Sequence, residues 1–160
     1  MIVYNVIHLY NLGDNSDNGN CKSLGFYSGY SKALDAIEYY KQCLGFCDHK
    51  NGFVIVPYDI KTDSSDLEYI YETYLYVHDD MYDYEYSQLL GLWDNYDDAN
   101  KMVEKFKDSN AALSFDSSLE LDVDVCRHKL NTGEWREGFT TYYWWMVIYL
   151  QAQITLSEKI

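Results

Sequence analysis

The sequence predicts an α+β fold of two degenerate strand-strand-helix-strand units, mostly antiparallel sheet with helices on one face. Three observations predict it. Leu24-Gly25-Phe26-Tyr27-Ser28-Gly29-Tyr30-Ser31-Lys32-Ala33 matches Leu90-Gly91-Leu92-Trp93-Asp94-Asn95-Tyr96-Asp97-Asp98-Ala99 at a constant offset, at which Ile37, Tyr40 and Lys41 meet Val103, Phe106 and Lys107. Each match opens a stretch whose apolar residues recur at spacings of three and four, Ala33, Ala36, Ile37, Tyr40 and Leu44 in one copy and Ala99, Met102, Val103 and Phe106 in the other. Runs rich in β-branched and aromatic residues flank both helical stretches.

The elements follow in order. Val3 to Asn11 reads as a strand, and Gly13-Asp14-Asn15-Ser16-Asp17-Asn18-Gly19-Asn20 has the composition of a long loop. Lys22 to Ser28 is a second strand. Ser28 is placed to cap the helix, since its hydroxyl can accept from an early helical N–H, and Gly45 is placed to end it. Phe53 to Ile60 is a third strand, where Pro57 implies an edge position or a bulge. After a link at Lys61 to Asp66, the second copy has a first strand around Leu67 to Val77, a helix capped by Asp94, and a third strand around Leu119 to Cys126. In each copy the right-handed crossover rule puts the first strand in the centre, between the second and the third. The units span 1–62 and 63–139. Residues 140–160 complete the same globule as an aromatic strand or hairpin, because Tyr142, Trp144, Met146, Ile148, Leu150, Ala152, Ile154 and Leu156 alternate with a more polar set; a helix there stays open.

Composition narrows the function classes. At 160 residues with 48% hydrophobic, the chain can bury a core without crosslinks and lacks the signature of disorder. A net charge of -14 opposes binding to nucleic acid phosphates and to anionic membranes. The four cysteines show no framework spacing and the first residues no secretory signal, which implies the cytoplasm with reduced thiols. The most apolar segment, Tyr142 to Leu150, is well short of the ~20 residues that span a bilayer.

The charge is concentrated. From Thr62 to Asn100 there are eleven Asp and Glu and no Lys or Arg, and seven tyrosines fall between Tyr69 and Tyr86. One sign of charge among large amphipathic rings attracts a basic surface and offers it rigid contact area. The expected contact residues are Asp79, Asp80, Tyr82, Asp83, Tyr84, Glu85, Tyr86, Asp94, Asp97 and Asp98. A second acidic row comes from Glu120, Asp122 and Asp124, which alternate with Leu119, Leu121, Val123 and Val125. Beside Glu68, Glu72, Tyr74 and Tyr76 these would line one sheet face.

Gly25-Phe26-Tyr27-Ser28, Lys32-Ala33, Ala36-Ile37, Leu44-Gly45-Phe46-Cys47-Asp48-His49, Asn51-Gly52-Phe53, Tyr58-Asp59-Ile60 and Trp135-Arg136-Glu137-Gly138-Phe139 carry a resemblance. They resemble a family of small bacterial proteins of unassigned function, with a G-x-Y-S turn, an A-x-x-A-I helix, a P-G-F-x-D-x-P-x-G-F loop and a closing W-x-E-G-F. Leu44 and Lys50 stand where that pattern has proline. Members look like single-unit proteins, some encoded among bacterial toxin and immunity clusters, so the resemblance implies fold and bacterial origin more than mechanism.

Together these readings lead to an immunity protein, not an enzyme. It would be a cytoplasmic monomer when free that binds a cognate secreted bacterial toxin of a contact-dependent or other polymorphic system. The toxin domain would present a basic surface, that of a nuclease, whose phosphate-attracting cleft an acidic protein can block without any cofactor. Two alternatives remain, a small hydrolase using His78 with neighbouring carboxylates, and a self-associating scaffold pairing through the aromatic tail. No nucleophile elbow, zincin motif or phosphate loop is present. Asp14, Ser16, Asn18 and Gly19 open like a calcium loop, but Gly25 falls where its closing carboxylate belongs. Cys43, Cys47 and His49 with Cys126 and His128 could form a zinc site only if the fold gathers them.

Overall fold

The computed structural model describes residues 1–10, 20–64, 66–79, 84–108 and 120–135. In chain order these form β1 (Ile2–Tyr10), β2 (Asn20–Tyr27), α1 (Tyr30–Tyr40), β3 (Phe53–Asp59), β4 (Tyr69–Asp79), β5 (Tyr84–Trp93), α2 (Tyr96–Asp108) and β6 (Glu120–Lys129). The loop expected at 13–19, residues 80–83, the aromatic segment 140–160 and Arg136 to Phe139 lie outside the described residues. Among the described residues no helix is long and apolar enough to cross a membrane.

The strands make two three-stranded sheets, ordered β2-β1-β3 and β5-β4-β6, with every pairing antiparallel and the first strand of each unit central. This is the α+β architecture that the repeat implies, and it repeats in detail. Both β1/β2 and β4/β5 shift register at the same point, next to Gly25 and Gly91. Tyr4 meets Tyr30 edge-on at 5.6 Å, and Tyr71 meets Tyr96 edge-on at 6.0 Å. The amide of Ile60 donates to the Met1 carbonyl (2.8 Å) just as that of Leu130 donates to the Glu68 carbonyl (2.9 Å). Pro57 sits on an edge strand, where its missing N–H breaks no ladder bond.

Each sheet carries its helix on one face. Under α1 pack Val6, Leu24, Tyr27, Ala33, Ile37, Tyr40 and Phe46; under α2 pack Leu75, Val103 and Val123 with Leu90, Phe106 and Val125. The faces turned away from the helices meet at one end, where Val3, Phe26 and Ile60 of the first unit pack on Ile70 and Leu130 of the second. Four of these five form repeat-related pairs, Val3 with Ile70 and Ile60 with Leu130, so the junction is itself nearly symmetric.

Helix ends depart from the sequence reading. Ser28 does not cap α1: its N–H and its hydroxyl both donate to Asn131 Oδ1, at 3.0 Å each, so the second unit has taken it. Gly29 is the N-cap and offers no side chain. In α2 the cap is Asn95 rather than Asp94: Asn95 Oδ1 accepts from the Asp98 N–H (2.9 Å), satisfying one orphan donor, and Asn95 Nδ2 donates to the Asp98 carboxylate (3.0 Å). α1 ends at Tyr40, ahead of Gly45, in tight turns such as Cys43 N–H to Tyr40 C=O. Those turns break the helical period, leaving Leu44 51% exposed while Phe46 fills the core.

After β6 the chain crosses back to the first unit. The amides of Asn131 and Glu134 donate to the carbonyls of Phe26 and Leu24, and Trp135 Nε1 donates to the Ser23 carbonyl. This clasp lies so close to β2 that a Cβ on Gly25 would stand 2.5 Å from the Thr132 carbonyl oxygen. With φ at +123°, that position accepts only glycine.

Candidate functional site

The alternation of β4 and β6 sorts their side chains into two rows. Under α2 the positions are apolar, Leu75, Val123 and Val125, or, at Thr73, bonded to the helix through Oγ1 and the Ala99 carbonyl (3.4 Å). On the helix-free face the pairs run Ile70 with His128, Glu72 with Cys126, Tyr74 with Asp124 and Tyr76 with Asp122, and the backbone register continues the row to His78 with Glu120. Asp122 and Asp124 are exposed and Tyr74 and Tyr76 half-buried, so rings and carboxylates alternate across one surface. The row that the sequence expected to be acidic is one face. The cations of β6 are elsewhere, Arg127 and Lys129 over the Tyr69 ring on the other row.

Burial pushes the Tyr74 phenol up to about 12, helped by the neighbouring Cys126, Asp124 and Glu72. Cys126 is raised by burial as well, so this pair stays protonated and neutral among the acids. At the inner end of the row, His128 is held between two carboxylates. Its Nε2 bonds Glu72 at 2.8 Å and its Nδ1 bonds Glu134 of the clasp, while Phe26 tilts against the ring at 4.9 Å. Burial opposes its charge, but the two carboxylates more than offset this and hold it up at about 9. An imidazolium with both nitrogens occupied is a fastener and a poor general base. It ties β4, β6 and the clasp together at the junction of the units.

Of the ten expected contact residues, Asp94, Asp97 and Asp98 stand apart along β5 from Tyr84, Glu85 and Tyr86. Asp80, Tyr82 and Asp83 lie outside the described residues. In the backbone register Glu85 pairs with His78, in the acidic row, whereas Tyr84 and Tyr86 pair with Asp79 and Val77 in the other. Asp94, Asp97 and Asp98 stand at the far end of β5 from Glu85, about 30 Å of extended strand away. Asp98 is engaged by Lys101 (2.6 Å) and Asn95, and these bonds lower its pKa. Asp94 accepts from Asn95 Nδ2 at 2.7 Å. Asp97 is exposed in the first turn of α2.

Cys43, Cys47 and His49 remain in the turns after α1 while Cys126 and His128 are on β6, and among the described residues no group of three or more His, Cys, Asp or Glu is placed to hold a metal ion. His8 is a core histidine, its Nε2 donating to the His49 carbonyl (2.9 Å) between Phe46 and Phe53, with its pKa lowered by burial. The sequence reading passed over Glu134 and Asn131. Neither belongs to a periodic pattern, and only the return of the chain over β2 gives them roles. No family model, curated protein or solved structure matches the chain.

Proposed function

We propose that this protein is an immunity protein, a binding protein that neutralises a cognate secreted bacterial toxin by covering a basic surface with the helix-free face of its second sheet. One observation carries the reading: Glu72, Tyr74 and Tyr76 stand in register with Cys126, Asp124 and Asp122 on a face that, among the described residues, no helix covers. Clustered carboxylates would steer a cationic partner into contact, and half-buried tyrosines would supply contact area at little entropic cost. In the backbone register Glu85 pairs with His78, at the end of the same row. The aspartates at the start of α2 become secondary, since capping and Lys101 occupy two of the three.

A nuclease is the favoured target class, because a cleft that attracts phosphates presents the matching charge. The test is coexpression with the toxin domain encoded beside this gene. Wild-type chain should copurify with that domain and protect the cell. Asp122→Lys with Asp124→Lys should slow association, weaken its dependence on salt and leave the thermal midpoint nearly unchanged, because both residues are exposed. Full protection by the double variant would place the interface on another surface.

A further inference from the structure

We infer that the outer edge of β5 takes an extended, lysine- or arginine-bearing segment of the bound partner as a fourth strand. This attachment rests on the reading of a basic partner proposed above and adds main-chain bonds to the contact at the acidic row.

The repeat supplies the precedent. In the first unit the carbonyls of Leu24 and Phe26 accept from the amides of Glu134 and Asn131, so the clasp runs along β2 in the manner of an added strand. Leu90 and Leu92 are the repeat-related residues on β5, which pairs only with β4, and among the described residues no backbone amide reaches their carbonyls from beyond the sheet. By symmetry the stretch to do so is Lys61 to Ser64, which follows Ile60 as the clasp follows Leu130. It folds on itself instead, Ser64 N–H donating to Thr62 Oγ1 (3.0 Å) and Asp66 N–H to Ser64 Oγ (3.2 Å), on its way into β4. Among the described residues, joining the units has left one of two equivalent edges uncovered.

The uncovered edge is also unguarded. A strand edge presents unpaired N–H and C=O groups, and proteins protect it with proline, cations or a covering segment. β3 has Pro57, β6 has Arg127 and Lys129, and β2 has the clasp. β5 contains neither proline nor a cation. Where the Thr132 carbonyl stands against Gly25, the Trp93 indole stands against Gly91, its Nε1 3.1 Å from the place of an added Cβ. That N–H is buried and has no hydrogen-bond partner among the described residues, so a carbonyl brought by an added strand would complete it.

Charge selects the occupant. No Lys or Arg falls between Thr62 and Asn100, and Asp94 and Asp97 stand just beyond the end of β5. A second copy pairing edge to edge would bring together two chains of net charge -14 each, and residues 140–160 of the chain itself hold a single cation, Lys159. A cationic segment in extended form satisfies both the backbone and the field, main-chain bonds giving affinity and alternate side chains specificity.

The test is hydrogen exchange on the full chain, alone and bound to the toxin domain encoded beside this gene. In the complex the amides of β5 should slow about tenfold or more. The indole proton of Trp93, identified by its loss in Trp93→Phe, should shift in nitrogen–proton spectra. Ser87→Lys with Gln88→Lys, both exposed, should weaken binding about tenfold by like-charge repulsion and leave the thermal midpoint nearly unchanged. A complex that depends on Asp122 and Asp124 but leaves exchange in β5 unchanged would overturn the added strand and keep the acidic row as the interface. Amides of β5 equally slow in the free chain at every concentration would assign the edge to the chain's own residues, and slowing that grows with the concentration of free chain would assign it to a second copy; either result overturns the proposal. Absence of any complex would remove both the added strand and the basic partner.

Discussion

The two sheets share one scaffold and differ on the face it leaves open. On the helix-facing side the repeat-related residues are interchangeable in kind, Ala33 with Ala99, Ile37 with Val103 and Tyr40 with Phe106. On the helix-free side, Asn5, Ile7, Val54 and Val56 of the first sheet stand where the second has Glu72, Tyr74, Asp124 and Cys126. Asn5 is buried and satisfied by the Ser23 hydroxyl at 2.9 Å; its counterpart Glu72 holds His128. Burial under a helix demands apolar residues in both copies, whereas the open face is free to diverge. The fold resides in the first row and the candidate function in the second.

The most severe break in this comparison is Phe26→Ala. Phe26 is 1% exposed and touches both Tyr58 of its own sheet and His128 of the other, so the loss should be about 3–5 kcal/mol. Because it sits in the shared junction, hydrogen exchange should accelerate in β4 and β6 as well as in β1 and β3. Faster exchange confined to the first sheet would mean that the units are energetically separate.

His128 should give the next largest effect. Its pKa is raised on folding from 6.5 to about 9, so its contribution is complete below pH 6.5 and lost as pH rises through 9. Denaturant titrations should therefore show stability falling on the order of 2 kcal/mol over that window. His128→Gln should flatten this slope. A slope unchanged in the variant would assign it to other groups and remove the fastener between the units.

Helix capping gives the smallest effects and sharpens the comparison most directly. Asn95→Ala should cost about 1 kcal/mol, read as a shift in the urea midpoint, because it removes the side-chain N-cap of α2. The related position Gly29 has extended backbone and no atom within 4 Å of an added Cβ. Gly29→Asn should accordingly stabilise by a few tenths of a kcal/mol. A loss there instead would show that the clasp, through Asn131 and Ser28, fixes the start of α1 more rigidly than the repeat implies.

Much of this was legible before any coordinates. The repeat at Leu24 and Leu90 gave both strand-strand-helix-strand units, the crossover rule gave the central strand of each, and the alternation of Glu120, Asp122 and Asp124 gave the acidic row. The caps were not legible, because a serine and an aspartate in the right place look sufficient until Asn131 claims one and Asn95 displaces the other. Nor was the division of Tyr84, Glu85 and Tyr86 from Asp94, Asp97 and Asp98 visible, since density in sequence measures neighbours along the chain and a strand then separates them.

What the sequence by itself determined is the set of elements and the side each residue takes, because periods of two and of 3.6 are local properties that the chain carries wherever it goes. What only the tertiary structure decided is which distant groups meet. Asn131 reaches Ser28 across 103 residues and His128 finds its two carboxylates at the junction. Such encounters depend on the angle at which two packed sheets come together, and that angle is set by the shapes of Phe26, Ile60, Ile70 and Leu130 in contact rather than by any periodic pattern.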